Sequence, residues 1–177
     1  MLPYEELEDL GKKAGFTHVA PLRVETLQVQ PEVRRMCETC TAYNARWSCP
    51  PGCGSLEACT AEIAAYTEGI LVQTVGNLED ELDGAGMMET EGRHKENFLR
   101  LRDWLYQDYP KLLALGSGGC RQCEVCTYPD QPCRFPDKRA ASMEAYGLLV
   151  LQVCKDNDLR YYYGPNAIAY TGCFLLQ

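Results

Sequence analysis

Eight of the chain's eleven cysteines fall in two short stretches, Cys37-x2-Cys40-x8-Cys49-x3-Cys53 and Cys120-x2-Cys123-x2-Cys126-x6-Cys133. No other feature constrains the fold as strongly, because each stretch must be shaped around whatever its thiols do. The first holds Pro50, Pro51, Gly52 and Gly54, which forbid regular structure, so a rigid loop is predicted there. In the second, gaps of two residues let a tight turn present three sulfurs to one object. The N-terminal residues Leu2-Pro3-Tyr4-Glu5-Glu6 lack the basic start, apolar core and cleavage site of a secretory signal, so a reducing, cytoplasmic compartment is the expectation and disulfides are the weaker reading.

Three thiolates at two-residue spacing suit a cuboidal 4Fe-4S cluster, as in the bacterial ferredoxin run C-x2-C-x2-C-x3-C-P. Here the last gap is longer and the proline is displaced to Pro136, which makes Cys133 the least certain ligand of the four. Zinc more often takes two separated C-x2-C hooks. At Cys37, Cys40, Cys49 and Cys53 the two chemistries stay open: zinc, or a second 4Fe-4S centre, with a modest lean to the latter. Trp47 is placed to shield that group from water. Cys59, Cys154 and Cys173 lack metal spacing and are expected to pack as small apolar side chains.

Charge follows the same division. The chain carries a net −8, which argues against a general nucleic-acid binder. From Lys111 to Ala140, however, five basic residues face three acidic ones, a local +2. Basic neighbours stabilise an anionic thiolate-bound cluster, and Arg121 and Arg134 are the candidates beside the ligands. Gly118 and Gly119 immediately precede Cys120, where a bare main chain lets N–H groups approach cluster sulfurs.

Hydropathy patterning predicts an α+β fold with a small mixed sheet, in a single domain over 1–177 with cysteine-rich loops at about 37–59 and 116–140. Helices are expected at Pro3 to Ala14 with Gly15 as cap, from Pro31 to the first cysteine pair, from Ser55 to about Tyr66, and from about Arg93 to Tyr109. The acidic stretch Asn77 to Gly92 reads as an exposed loop. Strands are expected at His18 to Leu22, Gly69 to Val75 and Leu112 to Leu115. Ser142 is placed to cap a helix from Met143 to about Lys155, and Arg160–Tyr163 with Ala167–Leu176 reads as a terminal hairpin. No run approaches a membrane span. His18 and His94 lie near no nucleophile, and no triad or P-loop is present, so the residues leave open whether the chain is itself an enzyme.

Taken together, Cys37-x2-Cys40, Trp47-Ser48-Cys49-Pro50-Pro51, Gly119-Cys120-x2-Cys123-x2-Cys126, Cys133-Arg134-x-Pro136 and Ser142-Met143-Glu144-Ala145-x-Gly147 resemble the "predicted metal-binding protein" family of anaerobic bacteria and methanogens. The likeness runs from about Gly15 to Leu176. One departure is Ala141, where many relatives have proline. The resemblance implies cysteine-bound metal and, through relatives that accompany corrinoid and methyl-transfer systems, a redox partner protein. One-electron transfer is the expected role. A cluster-dependent enzyme acting on a small molecule and a zinc-stabilised structural or interaction module are the alternatives.

Overall fold

In a computed structural model, which describes residues 2–177, two ten-residue strands with largely buried centres have both faces covered. The elements are α1 (Tyr4–Ala14), β1 (His18–Leu22), α2 (Pro31–Met36), α3 (Leu56–Ile63), β2 (Glu68–Asn77), α4 (Gly84–Leu105), β3 (Leu112–Gly116), β4 (Ala141–Ser142), α5 (Val150–Asp156) and β5 (Ala167–Leu176), with short 3-10 turns between them. They form an α+β fold around one mixed sheet ordered β1-β2-β5-β3-β4. Among the described residues only the β3–β4 pair is parallel.

Successive side chains of a strand point to opposite faces, and the central strands use both. Ile70, Val72, Ala114, Phe174 and Leu176 pack under α1 and α4 with Leu7, Phe98, Leu101 and Leu105. Leu71, Leu113, Leu115, Cys173 and Leu175 pack on the other face with Ile63, Met143, Leu148 and Val153. A sheet covered on both sides explains why these strands are continuous apolar runs rather than alternating ones. Among the described residues no helix is long and apolar enough to cross a membrane.

Three expectations about elements are corrected. The acidic stretch is not all loop: α4 begins at Gly84, where Asp83 accepts the Gly86 N–H at 2.8 Å and caps it. The predicted helix after Ser142 is broken in two. Ser142 Oγ does accept the Ala145 N–H at 3.1 Å, but Gly147 turns the chain at φ 75°, and α5 starts only at Val150. The terminal hairpin does not form: β5 pairs with β2 along its whole length and with β3 over Cys173–Leu176, and residues 160–163 make no strand. Residues 160–163 are instead held by side chains, Gln73 Nε2 donating to Arg160 O at 3.0 Å and Tyr163 OH to Gln73 Oε1 at 2.7 Å.

The parallel pairing has a functional consequence. Parallel neighbours need a crossover connection, and the segment that leaves β3 at Gly116 and returns at Ala141 contains the whole second cysteine group. That group therefore sits at the carboxyl end of β3, anchored at both ends by the sheet.

Candidate metal centre

Cys120, Cys123, Cys126 and Cys133 line one small cavity, together with Arg46, Trp47, Ser48 and Arg139. Arg46, Trp47 and Ser48 of that wall come from the first cysteine loop, more than seventy positions away. Ser48 Oγ accepts the Cys120 N–H at 3.1 Å, and Arg46 Nη1 donates to Cys120 O at 2.5 Å. Trp47 Nε1 donates to Gln131 O at 2.9 Å, Tyr128 OH to Asn44 Oδ1 at 3.0 Å, and Arg139 Nη1 to Trp47 O at 3.3 Å. Trp47 also meets the edge of Tyr128, with centroids 4.9 Å apart. The Pro- and Gly-rich loop forms no helix, so its main chain closes short turns on itself, as in Asn44 N–H to Pro50 O at 2.8 Å and Cys53 N–H to Cys49 O at 3.1 Å, and side chains add the bonds between loops. Each loop contains one cis X-Pro bond, at Pro50–Pro51 and Tyr128–Pro129.

Closeness of the loops leaves little room at Gly119. A Cβ placed there would stand 3.3 Å from Cys49 Sγ. All eleven cysteines are free thiols. Burial pushes the Cys126 thiol up, but N–H groups of Trp47, Tyr128 and Thr127, with Arg46, outweigh it and leave the thiol below its ordinary range. Three N–H donors and a nearby guanidinium favour the thiolate, the form that binds metal.

The first group divides. Burial raises the Cys37 thiol, with Glu144, Cys49 and Cys40 adding to the effect and Arg34 opposing it. Burial likewise raises Cys49; the Ser48 hydroxyl and Arg46 oppose, whereas Cys40 and Cys120 add. Cys37, Cys40 and Cys49 therefore share one neighbourhood, which reaches to Cys120. Cys53 turns elsewhere. Its thiol donates to Ala145 O at 3.9 Å and the Cys59 thiol donates to Cys53 O at 3.8 Å, and the interaction between the two neighbouring thiols holds Cys59 below its ordinary range and raises Cys53. Arg34 Nη1 donates to Cys59 Sγ at 3.4 Å and also binds Gly54 O. Cys154 and Cys173 are buried in the core, where burial pushes Cys154 up to about 11 and raises Cys173 further.

The arginines read from the sequence do other work. Arg121 reaches Glu91 Oε1 at 3.4 Å, and Arg134 Nη1 donates to Val125 O at 2.9 Å, bracing the loop. Arg46 and Arg139 line the cysteine cavity in their place. Their signal was faint: Arg46 adjoins Trp47-Ser48-Cys49, and Arg139 lies in the return to β4. Gly118 takes φ 70°, and its turn faces Lys95 and Glu91 rather than the sulfurs. Arg102 on α4 also escaped the sequence reading; it is 2% exposed and donates from Nη1 to Lys138 O at 2.7 Å, tying down the loop's exit.

Soft sulfur donors around a single cavity fit a thiolate-bound metal centre. Among the described residues no three Cys, His, Asp or Glu side chains are gathered to hold one lone ion. Residues 20–176 match the model of a family described as "predicted metal-binding protein (DUF2284)". The chain belongs to this family. Membership of this predicted metal-binding family covers every cysteine named above, and it leaves the kind of metal undetermined. No curated protein and no solved structure matches the chain.

Proposed function

We propose that the chain is an iron-sulfur protein that holds a 4Fe-4S centre on Cys120, Cys123, Cys126 and Cys133 and passes single electrons to a partner protein. The observation that carries this reading is that all four thiols line one cavity, closed by the loop of Cys49. When bound, such a centre supplies reversible one-electron transfer. The chain's own residues set its conditions. Arg46 and Arg139 offset the negative charge of four thiolates, and the N–H groups around Cys126 donate to a ligating sulfur, both of which raise a cluster's potential. Trp47, fixed by Gln131 and Tyr128, limits water at the wall.

Cys37, Cys40 and Cys49 adjoin this site and support a second centre, a 4Fe-4S cluster or zinc, with Cys53 completing it only by leaving Cys59. The acceptor that the family resemblance points to is an enzyme of corrinoid or methyl-transfer chemistry. Anaerobic purification with iron, sulfide and zinc counted per chain tests the proposal, together with visible absorption and EPR after reduction. About four irons per chain are expected for one cubane and about eight for two. Zinc without iron would overturn it.

A further inference from the structure

A second cavity, of about 80 Å³, lies between α4 and the Gly116–Gly119 turn, and Cys120 and Gln122 belong to the walls of both cavities. Its polar lining is cationic: Lys95, Arg121 and Lys138. One carboxylate, Glu91, pairs with both Lys95 and Arg121, which leaves an excess of positive charge. Phe98, Leu99 and Ala140 supply an apolar floor, and Ser117 with the bare glycine main chain supplies donors. His94 also lines it. Its Nδ1 lies 3.1 Å from Thr74 Oγ1, and its Nε2 is the one buried side-chain nitrogen or oxygen among the described residues that has no hydrogen-bond partner.

An unsatisfied buried polar atom calls for an explanation, since native structures rarely leave one. When Thr74 donates to Nδ1, the neutral ring carries its proton on Nε2 and presents a donor. A donor of that kind, with lysine and arginine heads above an apolar floor, matches the oxygens of an anion.

We propose that this cavity binds a small oxyanion, a carboxylate or a phosphate, held by Lys95, Lys138 and Arg121 with His94 Nε2 beneath it, directly beside Cys120. The volume admits about five water-sized groups, the size of inorganic phosphate or a short carboxylic acid. The site stands on α4 and β3, so it does not depend on which metal occupies the cysteine loops. The wall shared through Cys120 makes the two sites sense each other, and an anion bound here perturbs any centre held by that thiol.

The experiment is calorimetric titration of the full chain, purified anaerobically, with sodium phosphate and, separately, sodium formate, using sodium chloride as the reference salt. Saturable binding of one anion per chain is expected, weakened about tenfold or more in Lys95→Met and in His94→Phe. Formate alone identifies a carboxylate site, phosphate alone a phosphate site, and both together a general oxyanion site. Where iron is present, the EPR spectrum of the reduced protein is expected to shift on adding the anion that binds. Heat is read whether or not iron is found, so failure of the iron-sulfur reading leaves this test intact. Should His94→Phe fail to fold, Lys95→Met still decides, because Lys95 is partly exposed on the helix surface. No saturable binding of either anion up to about 50 mM, or binding unchanged by Lys95→Met, overturns the proposal.

Discussion

Ser48→Ala removes the one hydroxyl that ties the first cysteine loop to Cys120, the first cysteine of the second. Ser48 is 1% exposed, and its Oγ accepts the Cys120 N–H at 3.1 Å while lying 3.7 Å from Cys49 Sγ. Alanine fits the space but accepts nothing, so the Cys120 amide is stranded. A stranded buried donor costs about 1–3 kcal/mol, and because Cys120 is only partly buried, the lower half of that range applies. For a chain of this size about 1.5 kcal/mol corresponds to a Tm lower by roughly 3–6 °C. The same change removes a group that helps the Cys49 thiolate, which drives that thiol higher still. Anaerobic thermal unfolding followed by near-UV circular dichroism reads the first effect, and metal content per chain after gel filtration reads the second. Ser48→Thr keeps the hydroxyl and is expected to restore most of both. A Ser48→Ala protein with the wild-type Tm within about 1 °C and the wild-type metal content would refute the idea that this hydroxyl joins the loops.

Serine at Cys120, Cys123 or Cys126 is expected to strip metal from the second loop, measured as iron per chain, whereas Cys154→Ala and Cys173→Ala keep full metal and cost on the order of 1 kcal/mol of stability in denaturant titration. Arg102→Met leaves Lys138 O without its donor and is expected to lose about 1–3 kcal/mol, with amide exchange accelerating first around residues 136–139. The pH dependence of stability carries the signature of His94. Burial, then Lys95, holds its pKa down to about 4 against 6.5 in the unfolded chain, Glu91 opposing, while Thr74 and the rings of Phe16, Phe98 and Tyr170 surround it without charge. A depressed pKa means that the unfolded chain takes up the proton first. This contribution is therefore intact above pH 6.5 and is lost as pH falls toward 4, by up to about 3 kcal/mol. Urea midpoints at pH 7, 5.5 and 4.5 check it, and a His94→Phe protein is expected to lose that slope.

What was legible in the sequence was local. Gly15 ends α1 in the left-handed region with its N–H on Gly11 O and Lys12 O, and Ser55 caps α3 by accepting the Ala58 N–H, because caps are decided by residues within a turn of each other. The apolar runs of β2, β3 and β5 were readable as strands for a similar reason, and the spacing of Cys120, Cys123 and Cys126 was enough to place them on one cavity wall. The misreadings arose where distant partners decide. Ala167–Leu176 is as good a hairpin arm as any from its own residues, yet its partner along the whole length is β2, and Arg160 and Tyr163 bond to the Gln73 side chain instead. The start of α4 was hidden because glycine and acid content argue for loop; Asp83 as cap and burial of Thr90, His94 and Asn97 against the sheet and α1 override propensity.

The same reasoning applies to the arginines. Proximity in sequence to a cysteine ligand suggested Arg121 and Arg134, but a side chain as long as arginine reaches roughly two turns of chain, and its partner is chosen by what the fold brings near. Glu91 on α4 takes Arg121, and the carbonyl of Val125 takes Arg134. Arg46 is carried to Cys120 from the other loop because Ser48, Trp47 and Asn44 each bond across the gap. Spacing within one loop therefore identifies which sulfurs act together, whereas the charge that surrounds them is set by the loop-to-loop contacts, which no single stretch of the chain encodes. Exchanging the two kinds of arginine tests this: Arg46→Gln is expected to lower the reduction midpoint of a bound cluster more than Arg134→Gln, and equal shifts in protein-film voltammetry would contradict it.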